Sequence, residues 1–214
     1  LVADPGTVWS YSVSLDLLGR IIELASGMSF DAFLQQRIFA PLGMTSSWFQ
    51  VPQSEMKRLT TNYFGAPFGT FPIDPGTDSV FFDKPAFPFG GAGLVSSPRD
   101  YDRFLAMLMG EGAIGSTRIM KRETAQLGMS NLVHPDTKME SFVTGQGFGA
   151  GGRVTINPGK NGEGVGTFGW GGAASTIGWV DRTKGIRASG WSQIMTMGDQ
   201  PFVDGFSKSV YASL

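Results

Sequence analysis

Three features of the chain predict an α+β fold, in which a helical lobe leads into an antiparallel sheet covered by a C-terminal helix. Apolar residues ahead of Pro41 recur at helical period, the pattern after Gly145 turns to short alternating runs cut by glycine, and Pro201 to Ala212 returns to helical period. The organisation divides accordingly. Residues 1–145 read as a mainly helical lobe with a long aromatic loop, and residues 146–214 as antiparallel sheet plus C-terminal helix, part of an α/β lobe. At 214 residues and 41% hydrophobic content, the chain holds enough apolar material for a substantial core, in one domain or two interlocked lobes.

The first element is the clearest. In PGTVWSYSVSLDLLGRIIELASG, Pro5 to Gly27, the residues Leu15, Leu17, Leu18, Ile21, Ile22, Leu24 and Ala25 recur near helical period, Ser12 or Ser14 is a candidate cap, and Gly27 a candidate end. The same stretch presents Tyr11, Ser12 and Val13 at the helix entrance, where a hydroxyl can be held against a cleft or simply sit in a loop-to-helix junction. Ser29 is the expected cap of a second helix, Phe30 to Phe39, which Pro41 is expected to stop. From Thr45 to Gly93 the periodicity fades and aromatics, Pro and Gly dominate. Such a long loop buries its rings either as core packing or as the wall of a substrate pocket. Ser97, Pro98 and Asp100 mark the start of a third helix that runs through Met109 to Gly110, and a shorter one is expected over Lys121 to Met129. Strands are expected at Gly147 to Ile156, Ser175 to Asp181 and Ile186 to Ile194, the last two joined by a tight turn over Asp181 to Gly185.

Composition narrows the function. Seventeen Lys and Arg against eighteen Asp and Glu give a net charge of −1 with no basic block, so nucleic acid and anionic membrane are not expected partners, and a small molecule is. The chain has no cysteine, which excludes disulfides, thiolate nucleophiles and Cys-bound metal and leaves the compartment open. No apolar run approaches the roughly 18 residues that span a bilayer, and residues 1–214 contain no signal-type segment. Because the chain begins without Met, within what reads as a loop, an upstream part is expected to have been removed or left out.

His134 is the only histidine, and neither G-x-S-x-G nor H-E-x-x-H occurs, which leaves a Ser-His-Asp hydrolase or a zincin almost no material. Two G-x-G-x-x-G matches, through Gly147, Gly149 and Gly152 and through Gly164, Gly166 and Gly169, both run on into strand-like sequence instead of opening a helix, so neither faces a pyrophosphate. No cofactor or metal is expected. In WGGAASTIGWVD, Trp170 to Asp181, the paired glycines strip side chains from the approach to a strand. That is either an edge-strand bulge or a place where backbone N–H groups reach a ligand oxygen.

Taken together, PGTVWSYSV, LLGRIIELASGMSFDAFLQQRIFAPLGM, GGAGLVSSPRDYDRFLAMLM and FGWGGAASTIGWVD resemble the serine β-lactamase and penicillin-binding-protein superfamily, with a β-lactamase/transpeptidase-like fold, closest to its family VIII carboxylesterases. The resemblance covers nearly the whole chain. It implies an acyl-enzyme mechanism in which Tyr11 is the catalytic tyrosine, Ser12 and Val13 complete its motif, Trp170, Gly171 and Gly172 form the strand motif, and the Ala173 N–H is an oxyanion donor. It also implies that the nucleophilic Ser and its Lys, as S-x-x-K, lie upstream of Tyr11. A free phenol titrates near about 10 and needs an adjacent cation to act as a base at neutral pH, a role the missing Lys would fill. Val13 stands where β-lactamases carry Asn, and Trp170 where they usually carry a cation. Both changes favour uncharged esters over β-lactams.

One S-x-x-K does occur, Ser54 to Lys57, but in polar surroundings on the wrong side of the tyrosine, and it is expected to be a surface turn. The sequence therefore supports a serine hydrolase whose substrate is a small ester, or a β-lactam in the β-lactamase alternative, with little turnover by this chain alone. It leaves open a non-catalytic, penicillin-binding-like module for ligand or peptidoglycan recognition. The missing N-terminal segment, or a second copy through an unpaired strand edge, is the expected protein partner.

Overall fold

A computed structural model describes residues 2–196 and 200–214. The chain opens with β1 (Val8–Trp9) and α1 (Ser14–Ser26), followed by α2 (Phe30–Leu34), a π-helical turn (Gln35–Phe39) and α3 (Ala40–Leu42). After a 3-10 turn (Gln53–Arg58) come β2 (Asn62–Ala66), β3 (Gly69–Asp74), α4 (Pro98–Met109), β4 (Ala113–Ile114), β5 (Thr117–Arg118) and α5 (Arg122–Gly128). The second half holds β6 (Lys138–Met139), β7 (Gly147–Phe148), β8 (Arg153–Val154), β9 (Phe168–Gly172), β10 (Thr176–Asp181), β11 (Ile186–Gly190), β12 (Ile194–Thr196) and α6 (Pro201–Ala212).

Helix starts depart from the sequence in an informative way. Val13, not Ser12 or Ser14, stands at the cap of α1 and makes no side-chain cap bond; Asp16 in the first turn instead sets its charge against the helix dipole and accepts the Gly91 N–H at 3.1 Å. Ser29 makes no side-chain cap bond either, because Glu23 of α1 reaches across and accepts the Phe30 N–H at 3.0 Å. Hydrogen bonds from Arg20 and from that N–H hold the Glu23 carboxyl below the usual carboxylate range. Pro41 does not stop the second helix. The π turn, closed by the Ala40 N–H on the Gln35 carbonyl, shifts the register so that Pro41 enters the first turn of α3, where its missing N–H is tolerated. Gly43, at φ 65°, ends the helix instead. In α4 the expectation holds: Ser97 Oγ accepts the Asp100 N–H at 3.2 Å.

Among the described residues the main sheet is antiparallel, in the order β11-β10-β9-β8-β7. The single strand expected over Gly147 to Ile156 is two short strands, β7 and β8, because the run of glycines between them turns the chain back on itself. The long aromatic stretch is not all loop. β2 and β3 form a hairpin that β12 joins as a parallel neighbour, which takes Ile194 out of the strand expected from Ile186.

Strand β10 runs through the middle of the structure, and its alternation explains the layering. Ile177 and Trp179 pack under Val203, Phe206, Val210 and Tyr211 of α6, whereas Val180 joins Leu105, Leu108, Leu42, Phe39 and Phe168 in the larger core beneath α4. Gly178 makes that second contact close: a Cβ there would lie 2.4 Å from Tyr101 Cε1 of α4. Asp181, completely buried at the end of β10, accepts from the Gly164, Thr183 and Lys184 N–H groups and from the Thr183 and Tyr211 hydroxyls, so one carboxylate fixes both the hairpin turn and α6. No helix among the described residues is long and apolar enough to cross a membrane.

Candidate active site

Tyr11 lies between β1 and α1, and its placement is built from a distant segment. Strand β1 pairs in parallel with β6 through Val8↔Lys138 and Trp9↔Met139, and there the backbone ladder stops. The next residue of the second segment continues the attachment by its side chain: Glu140 Oε1 accepts the Ser10 hydroxyl at 2.6 Å and the Tyr11 N–H at 3.2 Å. The Tyr11 ring stands 5.6 Å from Trp170, 6.0 Å from Phe142 at a right angle, and 6.2 Å from Trp9. Phe148 fills in behind, 4.7 Å from Trp9 and 5.2 Å from Trp170. These separations are those of directly packed rings, so the group forms a wall rather than a cage. Tyr11 remains 52% exposed, and among the described residues its hydroxyl makes no hydrogen bond.

The other side of the site is strand β9. Its residues Gly172, Gly171 and Trp170 pair with Thr176, Ile177 and Gly178 of β10, whereas β8 covers only Phe168 and Gly169. Among the described residues no strand pairs with Trp170–Gly172 on that second side, and the Gly172 carbonyl accepts the Gln200 side-chain amide at 3.4 Å. A Cβ on Gly172 would lie 2.2 Å from Thr176 Oγ1, so a larger residue there would make the threonine side chain turn aside. Ala173 is exposed at the start of the turn into β10, which Ser175 completes at φ 56° with its hydroxyl on the Ile194 carbonyl at 2.8 Å. A strand edge without a partner strand, followed by a turn, is a place where N–H groups can be presented to an oxygen. The glycine pair therefore belongs to the strand itself rather than to its approach.

The structure brings Tyr11 and Trp170 into ring contact, with Gly171, Gly172 and Ala173 continuing along the same strand and turn. Ser12 and Val13 lie exposed at the start of α1, outside the ring cluster. Ser54 and Lys57 are exposed on the 3-10 turn beside the Arg58–Glu55 ion pair, a surface turn as the sequence indicates. Four neighbours of the site are absent from the sequence reading: Trp9, Glu140, Phe142 and Phe148. Trp9 carried a signal, since it alternates with Tyr11. Glu140 carried none, being 129 residues from the N–H it holds. A cavity of about 560 Å³ lies elsewhere, between the π turn and the β4–β5 hairpin, and none of these residues lines it. Among the described residues no group of three or more His, Cys, Asp or Glu could hold a metal.

Comparison with known proteins gives this geometry a context. The family described as Beta-lactamase matches residues 1–205. Esterase EstB of Burkholderia gladioli is 30% identical over 200 residues, covering 85% of this chain and 48% of its own length. Monacolin J acid methylbutanoyltransferase of Aspergillus terreus is 25% identical over 237 residues, covering 99% of this chain and 56% of its own. The simvastatin synthase structure from Aspergillus terreus, a LovD variant, superposes with a TM-score of 0.85 at 24% identity, over 100% of this chain and 58% of that one. The chain thus spans about half the length of the relatives it matches. With the tyrosine segment, the α4 segment and the β9–β10 hairpin all inside the matched region, the chain belongs to the Beta-lactamase family.

Proposed function

We propose that this chain forms the tyrosine and oxyanion side of a serine hydrolase, a carboxylesterase that cleaves small uncharged esters through an acyl-enzyme. The observation that carries the reading is the contact between Tyr11 and Trp170, which sets a free phenol beside a strand edge without a partner strand. A serine hydroxyl supplied by the S-x-x-K motif attacks the ester carbonyl, and its proton passes to the Tyr11 oxygen, kept basic by the motif's Lys. The β9 edge and the Ala173 N–H receive the oxyanion. Tyr11 then returns the proton to the departing alcohol, and water repeats the sequence to release the acid. The relatives named as an esterase and as a methylbutanoyltransferase fit this scheme, since discharge of one acyl-enzyme by water or by an alcohol accounts for both.

Trp170 gives the reading its substrate class. An aromatic wall of Trp170, Tyr11, Phe142 and Trp9 offers apolar contact and no cation, which suits an uncharged ester and leaves a β-lactam carboxylate unpaired. The nucleophile is assigned to chain beyond the matched half, and α1 supports that assignment. Its cap Val13 and its residues Leu17, Ile21 and Leu24 form a stripe that is 61%, 64%, 58% and 69% exposed, an apolar face that further chain or a second copy would cover.

A second reading, ligand or peptidoglycan recognition without turnover, is favoured by the fact that the chain's S-x-x-K is exposed and polar. The gene sequence upstream of Leu1 separates the two: S-x-x-K preceded by apolar residues supports the hydrolase, and its absence supports the binder. In the full gene product, nitrophenyl acetate should be hydrolysed and a chromogenic cephalosporin left intact. Faster turnover of the cephalosporin would contradict the esterase assignment.

A further inference from the structure

We propose that Glu140 is the positioning residue of Tyr11, its carboxylate setting where the phenol stands against the β9 edge. The parallel β1–β6 ladder ends at Trp9↔Met139, one residue short of the segment that carries the phenol. Between that point and Val13, whose carbonyl accepts the Asp16 and Leu17 N–H groups of α1, the tether among the described residues is Glu140 Oε1, one oxygen holding both the Ser10 hydroxyl at 2.6 Å and the Tyr11 N–H at 3.2 Å. The acceptor is itself well anchored. Glu140 opens the 3-10 turn Ser141–Val143, where its carbonyl takes the Val143 N–H at 3.0 Å and the Thr144 hydroxyl at 3.3 Å, and Val143 is 1% exposed. The same turn delivers Phe142, edge-on to the Tyr11 ring at 6.0 Å.

One short segment therefore grips Tyr11 twice, at the backbone through a carboxylate and at the ring through a phenyl edge. Charge-assisted bonds to a carboxylate are shorter and stronger than neutral ones, which suits a tether on a half-exposed segment. Loss of that tether leaves the Tyr11 N–H and Ser10 hydroxyl without their acceptor and frees the phenol to leave the Trp170 ring. A displacement of about 1 Å in a reacting group can cost about a hundredfold in rate.

The geometric part of the inference stands on the contacts alone; its catalytic part rests on Tyr11 being the proton shuttle. The first is tested on the 214-residue chain, whose four tyrosines give four fluorine resonances after 3-fluorotyrosine labelling, with Tyr11→Phe assigning the line. Glu140→Ala should shift or broaden the Tyr11 line while those of Tyr63, Tyr101 and Tyr211 stay in place. Glu140→Gln, whose carboxamide oxygen can accept both bonds, should restore it, and Ser10→Ala should produce a smaller change. In ester hydrolysis by the full gene product, Glu140→Ala should lower kcat about tenfold to a hundredfold with KM within about twofold, and Glu140→Gln should recover most of it. An unmoved Tyr11 line in Glu140→Ala, or movement of all four lines together, overturns the inference. If Tyr11→Phe hydrolyses esters at full rate while the fluorine result holds, the proton-shuttle reading fails and the positioning stands. If Tyr11→Phe is inactive and Glu140→Ala keeps full kcat, the positioning inference alone fails.

Discussion

Replacing Asp181 with Asn is expected to destabilise the protein by about 3–5 kcal/mol. The carboxylate divides its bonds between two oxygens: Oδ2 takes the Gly164 N–H at 2.8 Å and the Tyr211 hydroxyl at 3.0 Å, and Oδ1 takes the Thr183 hydroxyl at 2.7 Å and the Thr183 and Lys184 N–H groups at 3.0 Å. An asparagine has one acceptor oxygen. Set toward Thr183 and Lys184, it turns its NH₂ against the Gly164 N–H; flipped, it leaves those two part-buried N–H groups without their acceptor. At least two charge-assisted bonds are lost, each worth about 1.5–3 kcal/mol, and a chain of this size should melt about 10 °C lower. The effect should depend on pH with a definite sign. Burial acts to raise the Asp181 pKa, but the hydrogen bonds outweigh it and bring the carboxyl from 3.8 down to about 2. Because the folded value is the lower one, the stabilisation is present above about pH 4 and is lost as pH falls toward 2, a change of roughly 2 kcal/mol. Urea unfolding of both proteins at pH 7, 4 and 2.5 reads this directly, with Trp179 fluorescence as a local probe, since its ring stacks on Tyr211 at 6.0 Å. Equal midpoints at pH 7, or a gap between the two proteins that fails to narrow on acidification, would refute the reasoning.

Other consequences follow from packing and exposure. Gly178→Ala places a methyl 2.4 Å from Tyr101 Cε1, which should push α4 from the sheet and cost about 1–3 kcal/mol in a thermal melt; an unchanged melt would contradict the close contact. Leu17→Lys combined with Ile21→Lys should change the stability of the isolated chain by less than about 1 kcal/mol, because both side chains are more than half exposed. It should also reduce any self-association seen by sedimentation velocity. A large loss of stability would mean that the face is already covered. Trp170→Ala should lower ester turnover and leave cephalosporin turnover no higher, because it removes apolar contact without adding a cation; a gain in cephalosporin turnover would count against the substrate class.

Helices and the central hairpin were legible because their signals are local. Ser97, Pro98 and Asp100 specify the start of α4 within a few residues, and the Ile177, Trp179 and Val180 pattern specifies a strand between two layers. Elements whose partners are distant were less legible. β2 and β3 contain Gly65, Gly69 and Pro72, which argue against a strand on propensity, and they are held by pairing with each other and with β12. Pro41 misled for a related reason: the π turn that accommodates it leaves no mark in composition. At the candidate site, Tyr11, Trp170, Gly171 and Gly172 are named through the resemblance of their short runs to a known family, and the structure brings the first two into ring contact. Glu140 could not be named in this way, since what selects it is where the β1–β6 ladder ends.

The central claim is that the Tyr11 phenol, poised beside Trp170, moves the proton in ester hydrolysis. The direct measurement is kcat for nitrophenyl acetate with Tyr11→Phe in the full gene product, alongside its melting temperature. General acid–base transfer of this kind contributes about a hundredfold to ten-thousandfold, so kcat should fall by about two orders of magnitude or more. The melt should move little, because the hydroxyl is exposed and makes no hydrogen bond among the described residues. A Tyr11→Phe enzyme that turns over at the wild-type rate would contradict the account.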